Sequence, residues 1–93
     1  MTDITGATRV QHHNAITSKK IHNQWILLES NRKYVRKLNP TAGFIWERTN
    51  RPVQVQAIIR AMQKTYGLPK KQAEADVLAF IRSYRTDGLL VLI

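Results

Sequence analysis

Histidines are the residues of this chain best suited to metal binding or proton transfer, and there are three of them: His12, His13 and His22. Their spacing does not favour a shared site, because neighbouring residues of a strand point to opposite faces and no carboxylate lies at ligand spacing. The chain has no cysteine, hence no thiolate nucleophile and no disulfide. It also lacks a GxSxG turn, a phosphate-binding glycine-rich loop and a carboxylate pair. The sequence therefore predicts a protein without catalytic activity, bound metal or cofactor.

Basic residues are the second group that could do chemistry, because they attract acidic partners. The 93 residues include 15 Lys and Arg against 6 Asp and Glu, a formal net charge of +9. Arg32, Lys33, Arg36 and Lys37 lie together with no acid between them. A solvated basic surface is the alternative interpretation. The clustering favours a local positive patch that meets an acidic partner.

The basic cluster lies on a predicted strand that turns sharply into a helix. Residues 33–38 carry Tyr34 and Val35 among the bases, which is typical of a strand. Asn39 can cap a helix by accepting a hydrogen bond from an amide of the first turn. Pro40 suits the first helical position, where its missing N–H costs nothing. The apolar positions that follow have helical spacing: Ala42, Ile45, Trp46 and Thr49.

The remaining strands are predicted from short apolar runs bounded by polar residues. A weak alternation indicates a first strand over 9–16, and Trp25 to Leu28 indicate a second over 24–29. Residues 17–23 are interpreted as a polar connector, and Ser30 with Asn31 as a hairpin turn. Short connections predict an antiparallel meander.

Three helices are predicted after the strands, at 40–49, 53–66 and 69–87. Gly67 and Gly88 follow the second and third helices, and Gly67 suits the left-handed cap position. Residues 89–93 are apolar, so they must pack on the core, pair as a strand or reach a partner. Residues 1–8 have no periodicity and are predicted to be a flexible tail, which leaves 9–93 as one domain.

Length and composition bound the class of protein. A chain of this size buries roughly 60–65% of its unfolded surface, enough for one core of modest stability. A hydrophobic content of 43% favours a folded domain over a disordered one. The sequence contains no apolar run of about 18 residues and no signal-peptide pattern. We therefore expect a soluble, cytoplasmic protein without a membrane partner.

The run LNPTAGFIWE at 38–47 resembles the strand-to-helix signature of PqqD-like domains, also called RiPP recognition elements. Trp25-Ile26-Leu27-Leu28 before it agrees with the same family, as do DVLAFI at 76–81 and GLL at 88–90. The resemblance covers about residues 9–90. The chain departs from the pattern at Arg36, where an aromatic residue is frequent, at Pro52, where Thr usually opens the second helix, and at 91–93, beyond the usual end.

The resemblance implies an α+β, winged-helix-like fold, with a three-stranded antiparallel sheet followed by three helices. It also implies a non-catalytic chaperone of natural-product biosynthesis, which binds the leader region of a ribosomally made precursor peptide. The leader is then presented to a modifying or processing enzyme, either a radical SAM enzyme or, in lasso-peptide pathways, a leader peptidase. If the third strand lies at a sheet edge, the leader would bind by strand addition.

In the family the leader lies along the third strand and against the third helix. Carried over to this chain, the implied peptide-binding residues are Lys33, Tyr34, Val35, Arg36, Lys37, Asp76, Ala79, Phe80 and Ser83.

Several of the residues singled out also have purely structural interpretations. Asp76 could be an early helical carboxylate stabilised by the helix dipole. Trp25 and Trp46 are more typical of a core than of a recognition surface, and Phe80 has core spacing. Gly43 inside a helix costs roughly 1 kcal/mol against Ala, which indicates close packing on a neighbouring element.

A winged-helix nucleic-acid-binding protein is the alternative function, since three helices, a meander and +9 charge are compatible with it. The third helix, however, carries only Arg82 and Arg85 among its central residues. It lacks the cluster of Asn, Gln or Arg that reads base edges. The sequence therefore favours peptide recognition over nucleic acid.

Overall fold

The structure is a computed structural model that describes residues 4–14, 16–29 and 34–93. In chain order its elements are β1 (Arg9–His12), β2 (Ile16–Ile21), β3 (Gln24–Glu29), β4 (Tyr34–Lys37), α1 (Pro40–Arg48), β5 (Val53–Gln54), α2 (Val55–Tyr66), α3 (Lys70–Thr86) and β6 (Leu90–Leu92). The α+β class and the three predicted helices are confirmed. No helix in the described ranges is long and apolar enough to cross a membrane.

The strands form two antiparallel sheets of three strands each, in the orders β2-β3-β4 and β5-β1-β6. Leu27 at the centre of the first sheet pairs with Ser18 on one side and Arg36 on the other. Among the described strands β4 pairs only with β3, so it lies at a sheet edge. The edge position on which strand addition depends is therefore present.

The predicted boundaries of the first strand and of the connector were wrong. β1 ends at His12 and lies in the other sheet, whereas residues 16–21 form β2 and pair along their whole length with β3. Most side chains of β2 are exposed, so its sequence lacks the apolar alternation that reveals a strand. His22 and Asn23 link β2 to β3 with φ angles of 51° and 65°, as a two-residue hairpin of the type I′ class requires. The hairpin turn predicted at 30–31 lies outside the described residues.

The apolar end of the chain pairs as a strand. β6 joins β1 through the pairs Val10 with Leu92 and His12 with Leu90. Leu89 and Leu90 are buried in the core. Of the three roles considered for residues 89–93, the structure therefore contains two: packing on the core and pairing as a strand.

Residues 4–8 lie against the start of α2. The carbonyl of Gly6 accepts from the Gln56 amide at 2.9 Å, and the carbonyl of Thr8 accepts from the Val55 amide at 2.8 Å. The predicted flexibility of 1–8 in solution stays a prediction.

Trp46 is the largest fully buried side chain, which confirms its interpretation as a core residue. His12 stacks on its indole ring at 3.6 Å between centroids, and the His12 Nε2 lies 2.7 Å from the Trp46 carbonyl. A carbonyl oxygen only accepts, so Nε2 carries the proton. The buried hydroxyl of Thr49 donates to the same carbonyl at 2.8 Å. This cluster ties β1 to the end of α1.

Gly43 lets α1 approach β3 closely, which confirms the close packing predicted from a glycine inside a helix. A Cβ at this position would lie 3.0 Å from the Trp25 Cδ1. Trp25 is partly buried and packs against the core. Its indole N–H donates to Glu47 at 3.3 Å, one turn further along α1.

The contact between Gly43 and Trp25 predicts that Gly43→Val destabilises the protein by about 1–3 kcal/mol, because the added methyl groups must displace the indole. The matched control is Ala75→Val, which makes a similar change at an exposed position of α3 and loses only about 0.5 kcal/mol of helix propensity. Urea unfolding measures both variants. Equal losses of stability in the two variants would show that the Trp25 ring can move aside without destabilising the protein.

The burial of His12 predicts a loss of stability in mild acid. Burial lowers the pKa of His12 below its usual 6.5, and the hydrogen bond to Trp46 offsets only part of that effect. The unfolded chain therefore binds a proton before the folded chain does. The resulting loss begins as the pH falls below about 6.5 and grows until the folded His12 is protonated.

The measurement is the free energy of unfolding in urea between pH 7.5 and 5. His12→Gln is expected to flatten the decline with pH, although it is less stable throughout because the ring stacking is lost. His22→Asn, in the exposed turn, serves as the control and should keep the wild-type slope. Identical slopes in the wild type and His12→Gln would contradict the assignment.

Candidate functional site

The free edge of β4 is defined by the alternation of its backbone groups. The Leu38 amide donates to the Trp25 carbonyl of β3 at 2.9 Å. Successive residues of a strand present their N–H and C=O groups to opposite sides, so Arg36 also faces β3. Val35 and Lys37 therefore present their N–H and C=O groups away from β3. These two residues carry the backbone groups that an added strand could pair with.

The side chains of β4 divide between the two faces of the sheet. Val35 and Lys37 are exposed, and Val35 has 56% of its surface accessible. Arg36 lies on the opposite face, directly across from the buried Leu27. Of the basic residues that the structure describes in β4, one thus points to solvent and one points towards the helices.

A groove lies beside the end of β4, between the start of α1 and the middle of α3. It is an open cavity of about 340 Å³ lined by Asn39, Thr41, Ala42, Ile45, Asp76, Ala79 and Phe80. Asn39 lines the groove at its end nearest to β4. It also caps α1, since its Oδ1 accepts from the Ala42 amide at 2.8 Å. The predicted N-cap is confirmed. Three residues expected from α3 therefore meet in one concave surface.

Those α3 residues share one helix face. Asp76, Ala79, Phe80 and Ser83 follow the spacing of successive helical turns. Ala79 and Ser83 are exposed, whereas Phe80 is 9% exposed and belongs to the core cluster. Ser83 is not among the residues that line the groove, and it lies one turn beyond Ala79. The face therefore offers an apolar floor with polar groups at either end.

Asp76 lies further into α3 than its sequence interpretation assumed. The helix begins at Lys70, and it has no acid in its first turn. The attraction to the helix dipole falls off within that turn, so it does not account for Asp76. The carboxylate instead accepts from the Gln72 side-chain amide at 2.9 Å.

Arg36 crosses from β4 to the C-terminal end of α3. Its Nη2 donates to the Asp87 Oδ2 at 2.9 Å, and the guanidinium carbon lies 5.2 Å from the centre of the Tyr84 ring. Tyr84 in turn stacks on Phe80 at 3.9 Å between centroids. Burial alone would lower the pKa of Arg36, but hydrogen bonds and attraction to Asp87 and Tyr84 raise it. The guanidinium is therefore a fixed positive charge.

The sequence does not reveal the cluster of Arg36, Tyr84 and Asp87. Arg36 and Asp87 are 51 positions apart, and no spacing pattern connects them. The ring of Tyr84 is half-buried and packs against the core. The contact between strand and helix could be found only from the fold.

Two of the predicted site residues, Lys33 and Tyr34, lie at or before the start of β4. Lys33 lies outside the described residues, and Tyr34 is described as the first residue of β4. Among the residues that the structure describes, no group of three or more His, Cys, Asp or Glu could hold a metal ion.

The fold of this chain is similar to that of known proteins. Two solved structures share the fold: "TbiB1 in Complex with the TbiA(beta) Leader Peptide", with a TM-score of 0.80, and "Lasso peptide synthetase B1 complexed with the leader peptide", with a TM-score of 0.79. The first is 21% identical over 86% of this chain and 93% of that chain, and the second is 20% identical over 88% and 96%. No curated protein matches the chain.

The sequence model of the family described as Coenzyme PQQ synthesis protein D (PqqD) matches residues 24–90. This range contains β3, β4, all three helices and the signature at 38–47. Because the match spans well over half of the chain, the resemblance seen in the sequence is confirmed. The chain belongs to the PqqD family.

Proposed function

We propose that the protein is a non-catalytic leader-peptide-binding chaperone. It captures the leader region of a ribosomally made precursor as an extra strand on β4 and delivers it to a modifying or processing enzyme. The observation that carries the proposal is the open edge of β4, with outward backbone groups at Val35 and Lys37. The groove of α3 begins at Asn39, two residues after the end of this strand. Strand addition draws its affinity from main-chain hydrogen bonds and its specificity from neighbouring pockets.

The two structures that share this fold are both described as complexes with a leader peptide. Both likenesses cover more than four fifths of this chain. The same mode of binding is what we propose for this chain. The receiving enzyme is proposed by class, as a radical SAM enzyme or a leader peptidase, and the cytoplasm is the proposed site of action.

The proposed contacts follow from where the side chains lie. The outward backbone groups of Val35 and Lys37 would pair with the leader, while Ala79 leaves room beside the strand because its side chain is a single methyl group. Phe80, with 9% of its surface accessible, would form the floor against an apolar leader residue. Asp76 and Ser83 would offer polar contacts at the two ends of the groove.

β2 provides a second open edge in the same sheet, and it is longer than β4. Pairing with β3 fixes which of its groups face outward: Trp25 faces β4, so Ile26 faces β2 and its partner Lys19. Ser18, one residue away, therefore presents its N–H group to the free edge. The groove of α3 favours the β4 edge, and β2 supplies a matched internal control.

Proline substitution tests the proposed edge, because proline removes one ladder donor and is tolerated where the N–H faces outward. Val35→Pro is expected to weaken leader binding at least about tenfold, a loss of about 1.4 kcal/mol. Ser18→Pro should leave the affinity unchanged. Fluorescence anisotropy measures the binding, with labelled leader segments from the short open reading frames beside the gene as probes and circular dichroism to verify folding.

The two proline variants distinguish the possible failures. Loss of binding only in Ser18→Pro would place the leader on β2. Wild-type affinity in both variants would contradict strand addition altogether. Nanomolar binding of a specific DNA duplex at physiological salt would favour the winged-helix alternative, with Arg82 and Arg85 as the residues to replace first.

A further inference from the structure

Arg36 differs from the other described base of β4 because its side chain lies against α3. Its guanidinium contacts Asp87 and lies near the Tyr84 ring, which stacks on Phe80. Phe80, Tyr84 and Asp87 are spaced by four and three residues, so they follow one face of the helix and its end. The guanidinium therefore lies on the continuation of the face that carries the groove.

The ion pair leaves the guanidinium accessible. The side chains of Arg36 and Asp87 are 27% and 37% exposed, and ion pairs of this exposure contribute little to stability. Guanidinium has five N–H donors in a planar fork. In the free protein one oxygen of Asp87 accepts from it at 2.9 Å, and the Tyr84 ring lies 5.2 Å away. A second carboxylate can thus be accommodated without breaking the fold.

A strand added to β4 would place one side chain next to Arg36. Residues directly opposite each other on adjacent strands point to the same face, with Cβ atoms about 4.5–5.5 Å apart. The leader residue opposite Arg36 would therefore point towards the guanidinium, Tyr84 and Asp87. Its two sequence neighbours would point to the exposed face that carries Val35 and Lys37.

We propose that Arg36, positioned by Asp87 and Tyr84, forms a subsite for one carboxylate side chain of the bound peptide. Charge-assisted hydrogen bonds from arginine to a carboxylate are about twice as strong as neutral ones. This inference rests on the proposed strand addition and adds a sequence requirement to it. An Asp or Glu occupies one fixed position of the leader, while a Lys or Arg there is rejected.

A second requirement follows from the groove. The next inward-pointing leader position lies two residues away, opposite Leu38. The following residue, Asn39, lines the groove together with its floor of Ala42, Ile45 and Phe80. This floor is apolar, so the residue at that position is apolar as well. The subsite therefore recognises an acidic and an apolar residue separated by one position.

Asp87 competes with the peptide for the guanidinium in this arrangement. In the free protein it holds the Arg36 side chain across the end of α3 at 2.9 Å. Asp87→Asn removes the competing charge but keeps a hydrogen-bond acceptor. The variant should therefore bind acidic peptides at least as tightly as the wild type.

A displayed library of random 12-residue peptides provides the probe, selected against the full chain. Peptides enriched by the wild type should carry Asp or Glu at one position, with an apolar residue two positions away. Replacing that acid by its amide should weaken binding by about tenfold or more, as expected for a hydrogen bond between charged groups. In Arg36→Gln the same replacement should have no effect. Arg36→Lys, which keeps the charge but loses the fork, should retain only part of the preference.

Lys37→Gln is the matched control, because it removes one positive charge from the next residue, whose side chain is exposed. It should keep the positional preference for an acid. A preference that survives in Arg36→Gln, or that is lost equally in Lys37→Gln, would overturn the subsite and leave strand addition standing. Enrichment of no peptide at all would overturn the proposed function together with the subsite.

Discussion

The amide of Leu38 donates to the carbonyl of Trp25, and one residue later the side chain of Asn39 accepts from the amide of Ala42. These two hydrogen bonds end β4 and begin α1 within two residues. They also determine which residues of β4 turn their backbone N–H and C=O groups towards β3, because these groups alternate in direction along a strand. The groove and the outward backbone of Val35 and Lys37 both depend on this turn.

The turn is held in place by close packing beneath it. Gly43 admits the Trp25 ring to within 3.0 Å of the position of a Cβ. Further along α1, the Trp46 carbonyl accepts from His12 and Thr49, which joins the helix to the second sheet. A free edge next to such a rigid support invites pairing with other chains. The exposed Lys37 and the inward-pointing Arg36 are the kinds of residues that limit self-association at such edges.

Local chemistry made much of this predictable. Asn39 and Pro40 predict the start of a helix. Gly67, with a φ of 64°, ends α2 in the left-handed conformation that was expected. β3 is apolar enough to be recognised, but β2 is held mainly by backbone pairing and has few buried side chains. The pairing of β6 with β1 joins the two ends of the chain. The hydrogen bond between Arg36 and Asp87 likewise joins residues far apart in the sequence, so no local sequence pattern predicts it.

The central claim is that the outward backbone groups of β4 receive a peptide strand. The most direct measurement is amide hydrogen exchange at single-residue resolution, with and without a bound leader. We expect the amides of Val35 and Lys37 to exchange readily in the free protein and to become protected in the complex, while those of Arg36 and Leu38 are protected in both states. Unchanged exchange at Val35 and Lys37, or new protection at Ser18 and Lys20 on β2, would contradict it.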